Sequence, residues 1–230
     1  MTLKTITALS AGTGAMLVLI AILMLCYKVK LWKSIPVALL LTLTGTLGTY
    51  IWYFLEASAF GARSYYGAVF LVPLGFWYVA KWMRIPYGEL MDICAPAECV
   101  MLAIMKYQCL VDGCCGGILL PASLLGPNTI FPSQIVELIN ALILMAILMG
   151  IGFGKKYRGK VYAWYMVMYG ATRFVLNFFR VDNDPLLLGL PAGHLWSLLS
   201  IFIGVLWLTD RTVAIVKINA QDKSTQEEKM

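Results

Sequence analysis

Seven stretches of this 230-residue chain are long apolar runs broken only at isolated positions: 11–27, 35–55, 65–82, 91–110, 133–154, 161–180 and 187–209. Each approaches or exceeds the roughly 20 residues that carry an α-helix across a bilayer. The pattern predicts an all-α polytopic membrane protein with seven transmembrane helices. The fourth run departs from it, because Asp92, Pro96, Glu98 and Lys106 interrupt the apolar sequence. Such a segment is expected to be partly buried or broken rather than a simple span. The sixth run departs differently: Tyr169, Arg173, Asn177 and Arg180 recur in steps of four, four and three, which puts them on one helical face. A charged side chain at membrane depth costs about 2.5–3.5 kcal/mol on insertion scales. That face is therefore expected to look into a polar interior and to bind an anion such as a lipid phosphate. The alternatives are that Arg180 snorkels to the headgroups and that Arg173 pairs with a buried carboxylate.

Composition agrees with the pattern. Hydrophobic residues make up 60% of the chain and charged residues 13%, against about 25% charged in soluble domains, and the mean hydropathy is +0.79. The net charge of +6 would suit nucleic acid, but the position of the cations argues against that partner. If the first helix runs from outside to inside, Lys28, Lys30, Lys33, Lys81, Arg84, Lys155, Lys156, Arg158, Lys160, Arg211, Lys217, Lys223 and Lys229 all fall on the cytoplasmic side, as the positive-inside rule requires. The amino terminus is then outside and the carboxyl terminus cytoplasmic. Of the five remaining cations, Lys4 lies on the tail and Arg63 in a loop. Topology does not explain Lys106, Arg173 and Arg180, which lie toward the outer halves of their helices and predict an outward-facing basic pocket. Residues 1–216 read as one integral membrane domain, and 217–230 as a polar, disordered cytoplasmic tail. The first 27 residues imitate a signal peptide, but no small-residue cleavage site follows Cys26, so the segment is read as a span.

Candidate chemistry sits at the helix ends. Ahead of the fifth run, Pro132, Ser133, Gln134 and Glu137 suit the first turns of a helix. Glu137 lies inside the apolar run and needs a cation, for which Arg173 and Lys106 at similar depth are the candidates; the pair either fixes two helices structurally or takes part in the chemistry. Residues 106–117 hold Lys106, Cys109, Asp112, Gly113, Cys114, Cys115, Gly116 and Gly117. Glycines there permit positive φ, and backbone amides form an anion nest beside Lys106. The cysteines read as a disulfide, as packing thiols or as a nucleophile activated by Lys106. No metal is assigned, since adjacent cysteines fit poorly around one tetrahedral ion and the only histidine is far away in sequence. Tyr65 and Tyr66 fit an interfacial aromatic belt. Asp92, Ala95 and Pro96 suggest a helix start or kink. His194 sits at a helix entrance as either a general base or a capping or interfacial group.

In order along most of the chain, these segments resemble the prolipoprotein diacylglyceryl transferase family. The family's Tyr-Gly-x-x-Arg-Phe-x-x-Glu-Phe-x-Arg element resembles 169–180, its Pro-Ser-Gln-x-x-Glu element matches Pro132, Ser133, Gln134 and Glu137, and its Asp-x-x-Ala-Pro element matches Asp92, Ala95 and Pro96. Its glycine-rich signature aligns with 106–117. The resemblance implies a bacterial cytoplasmic-membrane enzyme with seven helices, an outer-leaflet site and no cofactor. It implies transfer of a diacylglyceryl group from phosphatidylglycerol, drawn from the surrounding membrane lipids, to the thiol of a lipobox-containing protein precursor, with release of glycerol phosphate. It further implies Arg173 as the phosphate clamp and Tyr66, where the family has histidine or tyrosine, as an aid to proton transfer. Lys106, Gly113, Gly117, Gln134, Glu137, Tyr169 and Arg180 would bind or orient the substrate.

The chain departs from the family at Lys106, where the family has arginine, at Cys109 for asparagine, at Cys114 and Asn177 for glutamates, and at Ala68 for glycine. The family's longer extracytoplasmic insertions have no counterpart. These losses of carboxylate define a second reading, a phospholipid-binding membrane protein of the same fold without the chemistry. A transporter is a third, disfavoured because no internal repeat is visible.

Overall fold

The computed structural model describes residues 3–57, 63–120, 129–154, 157–181, 185–187 and 190–209. Among them are seven α-helices: α1 Leu3–Cys26, α2 Ser34–Ala57, α3 Tyr66–Met83, α4 Tyr87–Asp112, α5 Ser133–Phe153, α6 Val161–Asn177 and α7 Ala192–Thr209. A short antiparallel pair, β1 Pro185–Leu187 and β2 Leu190–Pro191, leads into α7. Lys155, Lys156, Arg211, Lys217, Lys223, Lys229 and the tail 217–230 lie outside the described residues.

Four stretches are long and apolar enough to cross a bilayer: Lys4–Cys26, Leu31–Ala57, Ser133–Phe153 and Ala192–Thr209. The other three helices are α3, α4 and α6, and each has a reason in its sequence. Tyrosine, tryptophan and Lys81 dilute α3; Glu89, Asp92, Glu98, Lys106 and Asp112 dilute α4; α6 is only 17 residues long and contains Arg173.

Helix α4 is the most enclosed. Every residue from Leu90 to Cys99 is buried, including Asp92 and Glu98. Pro96 lies in its interior rather than at its start, and the helix continues through it to Asp112. Burial among the other helices answers both irregularities: Pro96 has no N–H to offer and the freed backbone is enclosed by protein, while the Glu98 carboxylate accepts from the Tyr162 hydroxyl at 3.0 Å. By contrast Leu39, Leu43, Leu47, Ile51 and Leu55, four residues apart, form an exposed stripe along α2. A continuous apolar stripe at helical spacing is what lipid chains solvate.

The principal helix partners are α6 with α7, α4 with α5, α2 with α3 and α1 with α4. Small residues set the closest of these contacts. Gly48 of α2 faces Gly67 of α3, where a Cβ on Gly67 would run into the Gly48 carbonyl, and a Cβ on Gly170 of α6 would stand 2.8 Å from the Ser197 carbonyl of α7. Where lipid is as apolar as leucine, such backbone approach and its van der Waals contact hold helices together.

At one end of the bundle Asp92 ties three elements. Its Oδ1 accepts from Val161 N at 2.9 Å, and its Oδ2 accepts from Gly159 N at 2.5 Å and from the Tyr27 hydroxyl at 3.1 Å. The carboxylate thus satisfies amides at the start of α6 that the helix leaves without partners. Arg158 closes the same end against Glu89 at 3.2 Å, over the Tyr27 ring. The described cations Lys28, Lys30, Lys33, Lys81, Arg84, Arg158 and Lys160 all lie at this end, where α1, α3 and α5 finish and α2, α4 and α6 begin.

Candidate functional site

The other end of the bundle gathers the remaining cations. Glu137, in the second turn of α5, is 5% exposed. Its Oε2 meets Lys106 Nζ of α4 at 2.5 Å, and its Oε1 meets Arg173 Nη1 of α6 at 2.6 Å and Arg180 Nη1 at 2.7 Å. Sequence reasoning offered Arg173 or Lys106 as the partner of Glu137. The structure brings both, and Arg180 as well.

Arg180 arrives by a different route from the one its spacing suggests. Helix α6 ends at Asn177, and the chain turns through Phe178 N to Val175 O, Phe179 N to Leu176 O and Arg180 N to Asn177 O. Arg180 then pairs its backbone with Gly117 in an antiparallel bridge. Gly117 has no room for a side chain, because a Cβ there would strike the Phe131 carbonyl. The segment 117–120 therefore lies between 179–180 and 129–131, bonded through Ile118 N to Phe179 O and Phe131 N to Ile118 O, both at 3.0 Å. Rather than snorkelling to headgroups, Arg180 is 8% exposed and turned inward.

Four side chains of unequal sign, Glu137 and Arg180 buried and Lys106 and Arg173 part-buried, now share a small volume. Among the described residues, three cations meet this one carboxylate. Desolvated charge is costly unless compensated, so the arrangement favours a further anion. Phosphate is suited by its negative charge, single in a diester and up to double in a monoester, and by the planar donor fork of arginine.

Aromatic side chains form the wall next to this cluster. The Tyr66 hydroxyl at the start of α3 shares a 2.6 Å hydrogen bond with Ser197 Oγ of α7, and its ring lies 5.6 Å from that of Tyr169. The interfacial-belt expectation fails for both tyrosines of this pair: Tyr66 is 3% exposed, and Tyr65 donates to the Glu98 carbonyl at 3.0 Å. The charges of Arg173 and Glu137 reach both Tyr66 and Tyr169. Ser197 escaped sequence reasoning, since a serine inside an apolar helix gives no local signal beyond its nearness to His194.

His194 is buried between the rings of Phe174 and Phe178, with centroids at 5.0 and 4.5 Å. Among the described residues neither ring nitrogen has a hydrogen-bond partner. Buried packing thus replaces the capping or interfacial position expected for it.

The loop after α4 is built to hold a shape. Gly113 takes a left-handed conformation with φ of 68° and caps α4. Ser133 Oγ donates to the Cys115 carbonyl and Gln134 Nε2 to the Cys114 carbonyl, each at 2.7 Å. Gln134 therefore straps the loop, while Gly113 and Gly117 shape it. The Cys115 thiol is held well below the usual thiol range, by a hydrogen bond from Cys109 first and by the charges of Lys106 and Arg180 next.

Between α5 and α6 lies an open groove of about 400 Å³ lined by Val136, Asn140, Ala171, Thr172, Val175 and Leu176. Val136 adjoins Glu137 in sequence, and Thr172 adjoins Arg173. The groove wall is almost wholly apolar.

The family model for prolipoprotein diacylglyceryl transferase matches residues 13–209. Phosphatidylglycerol–prolipoprotein diacylglyceryl transferase of Geobacter sulfurreducens is 32% identical over 160 residues, 65% of this chain and 60% of that protein. The protein of the same name from Dehalococcoides mccartyi is 27% identical over 151 residues, 61% of this chain and 58% of its own length. Phosphatidylglycerol–prolipoprotein diacylglyceryl transferase 2 of Clostridium perfringens is 32% identical over 130 residues, 52% of this chain and 50% of that protein. The chain thus spans 50–60% of the length of these three relatives.

Proposed function

The chain belongs to the prolipoprotein diacylglyceryl transferase family, and on that premise we propose that it transfers the diacylglyceryl group of phosphatidylglycerol to the cysteine thiol of a lipobox-containing protein precursor. The observation that carries this reading is the convergence of Lys106, Arg173 and Arg180 on the single carboxylate of Glu137. The relatives' names supply both substrates, and the cluster supplies what their chemistry demands.

In the reaction the acceptor sulfur, as thiolate, attacks the glycerol carbon that bears the phosphate. A carbon–sulfur bond forms and the carbon–oxygen bond breaks. The electron pair leaves on the phosphate oxygen, glycerol phosphate departs, and the thiol proton passes to water. The difficult parts are removing that proton and stabilising the leaving phosphate. Arg173 is the phosphate clamp, since Glu137 engages its guanidinium through Nη1 and steadies the fork. Lys106 and Arg180 add positive field, and Glu137 orients all three. Tyr66, hydrogen-bonded to Ser197, assists proton transfer, and Tyr169 holds the headgroup. Gln134, Gly113 and Gly117 keep the loop beside the headgroup in shape. The apolar groove between α5 and α6 accepts an acyl chain with the phosphate at the cluster.

In this reading all seven helices cross the bacterial cytoplasmic membrane as one domain over residues 1–216, with the amino terminus outside. The tail 217–230 is cytoplasmic and the site faces the outer leaflet. The segregation of Lys28, Lys30, Lys33, Lys81, Arg84, Arg158 and Lys160 to the end opposite Glu137 supports that orientation. The decisive assay places purified protein in liposomes containing phosphatidylglycerol with a lipobox peptide and reads peptide mass. Addition of the diacylglyceryl group is expected. Phosphatidylglycerol binding with no lipidated peptide would select the non-catalytic lipid-binding reading instead.

A further inference from the structure

The chain holds six cysteines, and they divide sharply by environment. Cys94 and Cys99 are fully buried in α4, as packing thiols are. Cys109, Cys114 and Cys115 lie where solvent reaches them, Cys114 being exposed and the other two half-buried. Their three sulfur atoms stand within 4.8 Å of one another. Thiolates around one zinc ion, each about 2.3 Å from it, are separated from one another by roughly 4 Å. Small rotations of the side chains close that difference.

Adjacent cysteines fit poorly around one ion when the backbone is extended, because consecutive side chains then point to opposite faces. This backbone is not extended. Cys115 has φ of 60° in the left-handed region, which a residue other than glycine adopts only against a steric penalty. Contacts from three directions hold the conformation. Cys114 N donates to the Cys109 carbonyl at 3.1 Å, Ser133 holds the Cys115 carbonyl, and Gln134 holds the Cys114 carbonyl. The sulfur cluster is therefore arranged by the loop before any ligand arrives. Lys106 lies three residues before Cys109 on α4, and Arg180 is bridged to Gly117, two residues beyond Cys115; their charge offsets the negative charge left over when three thiolates bind a monovalent or divalent ion.

We propose that Cys109, Cys114 and Cys115 form a three-thiolate site for one soft d10 cation, Zn2+ or Cu+, at the rim of the Lys106–Glu137–Arg173–Arg180 cluster. Three thiolates complete a trigonal Cu+ site. Zn2+ takes a fourth ligand, and the exposed side at Cys114 admits a water molecule. The site does not depend on the transferase reading, because its ligands and its measurement are separate from turnover.

The test uses the full chain in detergent micelles, reduced with a phosphine and desalted without oxygen. Zn2+ is loaded in one arm and Cu+ in a second, each followed by desalting and elemental analysis, with Cd2+ titrated as an optical reporter of thiolate ligation. One equivalent per chain in either loading arm, with a thiolate-to-cadmium charge-transfer band, is expected. Cys109→Ser, Cys114→Ser and Cys115→Ser should each lose the tightly held ion, whereas Cys26→Ser and Arg173→Ala should keep it. Cys114 is exposed, so Cys114→Ser is the variant least exposed to folding defects, and its thermal unfolding midpoint without metal should match that of the unaltered protein. No retained ion in either arm overturns the proposal, as does retention in the triple serine variant. A disulfide within the three cysteines, found by peptide mass mapping of protein purified from membranes, also overturns it.

Discussion

Asp92 of α4 and Glu137 of α5 are both buried carboxylates, 2% and 5% exposed, and they meet α6 near its opposite ends, at Val161 and Arg173. Around Asp92 the donors among the described residues include two backbone amides and a tyrosine hydroxyl, all three neutral. Around Glu137 they are one ammonium and two guanidinium groups. The first carboxylate completes the hydrogen bonding of a helix start. Among the described residues the second is outnumbered by its partners, and such a local concentration of positive charge suits an anion. Burial alone thus says little about role in this protein; the charge of the donors that meet each carboxylate separates the structural end from the candidate site.

The contrast can be broken by replacing each residue in turn. Glu137→Gln leaves three cations buried without their anion and is expected to cost about 3–5 kcal/mol of stability. Inorganic phosphate should restore part of that loss and raise the unfolding midpoint of the variant more than that of the unaltered protein. Equal effects in both would remove the anion site. Arg173→Ala, read by the liposome assay, should lower turnover by about 10²- to 10³-fold while the protein remains inserted and folded; a full rate would show the clamp to be misassigned. Tyr66→Phe keeps the ring and removes the hydroxyl shared with Ser197. A drop of roughly 10²-fold in kcat with phosphatidylglycerol binding unchanged is expected. Asp92→Asn puts an amide where a carboxylate accepted three bonds, and about 1–3 kcal/mol of stability should be lost. Phosphatidylglycerol affinity should stay constant, and a change there would mean that the two ends are coupled.

Parts of the site were visible in the sequence because intramembrane charge is rare enough to be informative at a single position. Lys106, Glu137, Arg173 and Arg180 each stand out against an apolar run, and positive-inside counting isolates the three cations from the rest. Their common partner was less visible: spacing placed Arg180 on the Arg173 face of one helix, whereas α6 stops at Asn177 and a turn paired with Gly117 delivers the side chain. Pro96 suggested a start or kink and proved interior, since enclosure by neighbouring helices tolerates a missing amide that lipid does not. Tyr66 carries the same local signature as a belt tyrosine, and only the register of α3 against α7 turns it toward Ser197.

The helical runs, the end of the bundle that carries each cation and the family motifs follow from the sequence alone. Hydropathy and charge are local properties of consecutive residues, and the bilayer constrains them segment by segment. The four-membered charge cluster, the Tyr66–Ser197 bond and the three-sulfur loop were decided by tertiary structure. The first two join residues from separate segments and the third is strapped by Ser133 and Gln134 of α5; they depend on helix register, on where a helix ends and on one left-handed residue, none of which hydropathy encodes.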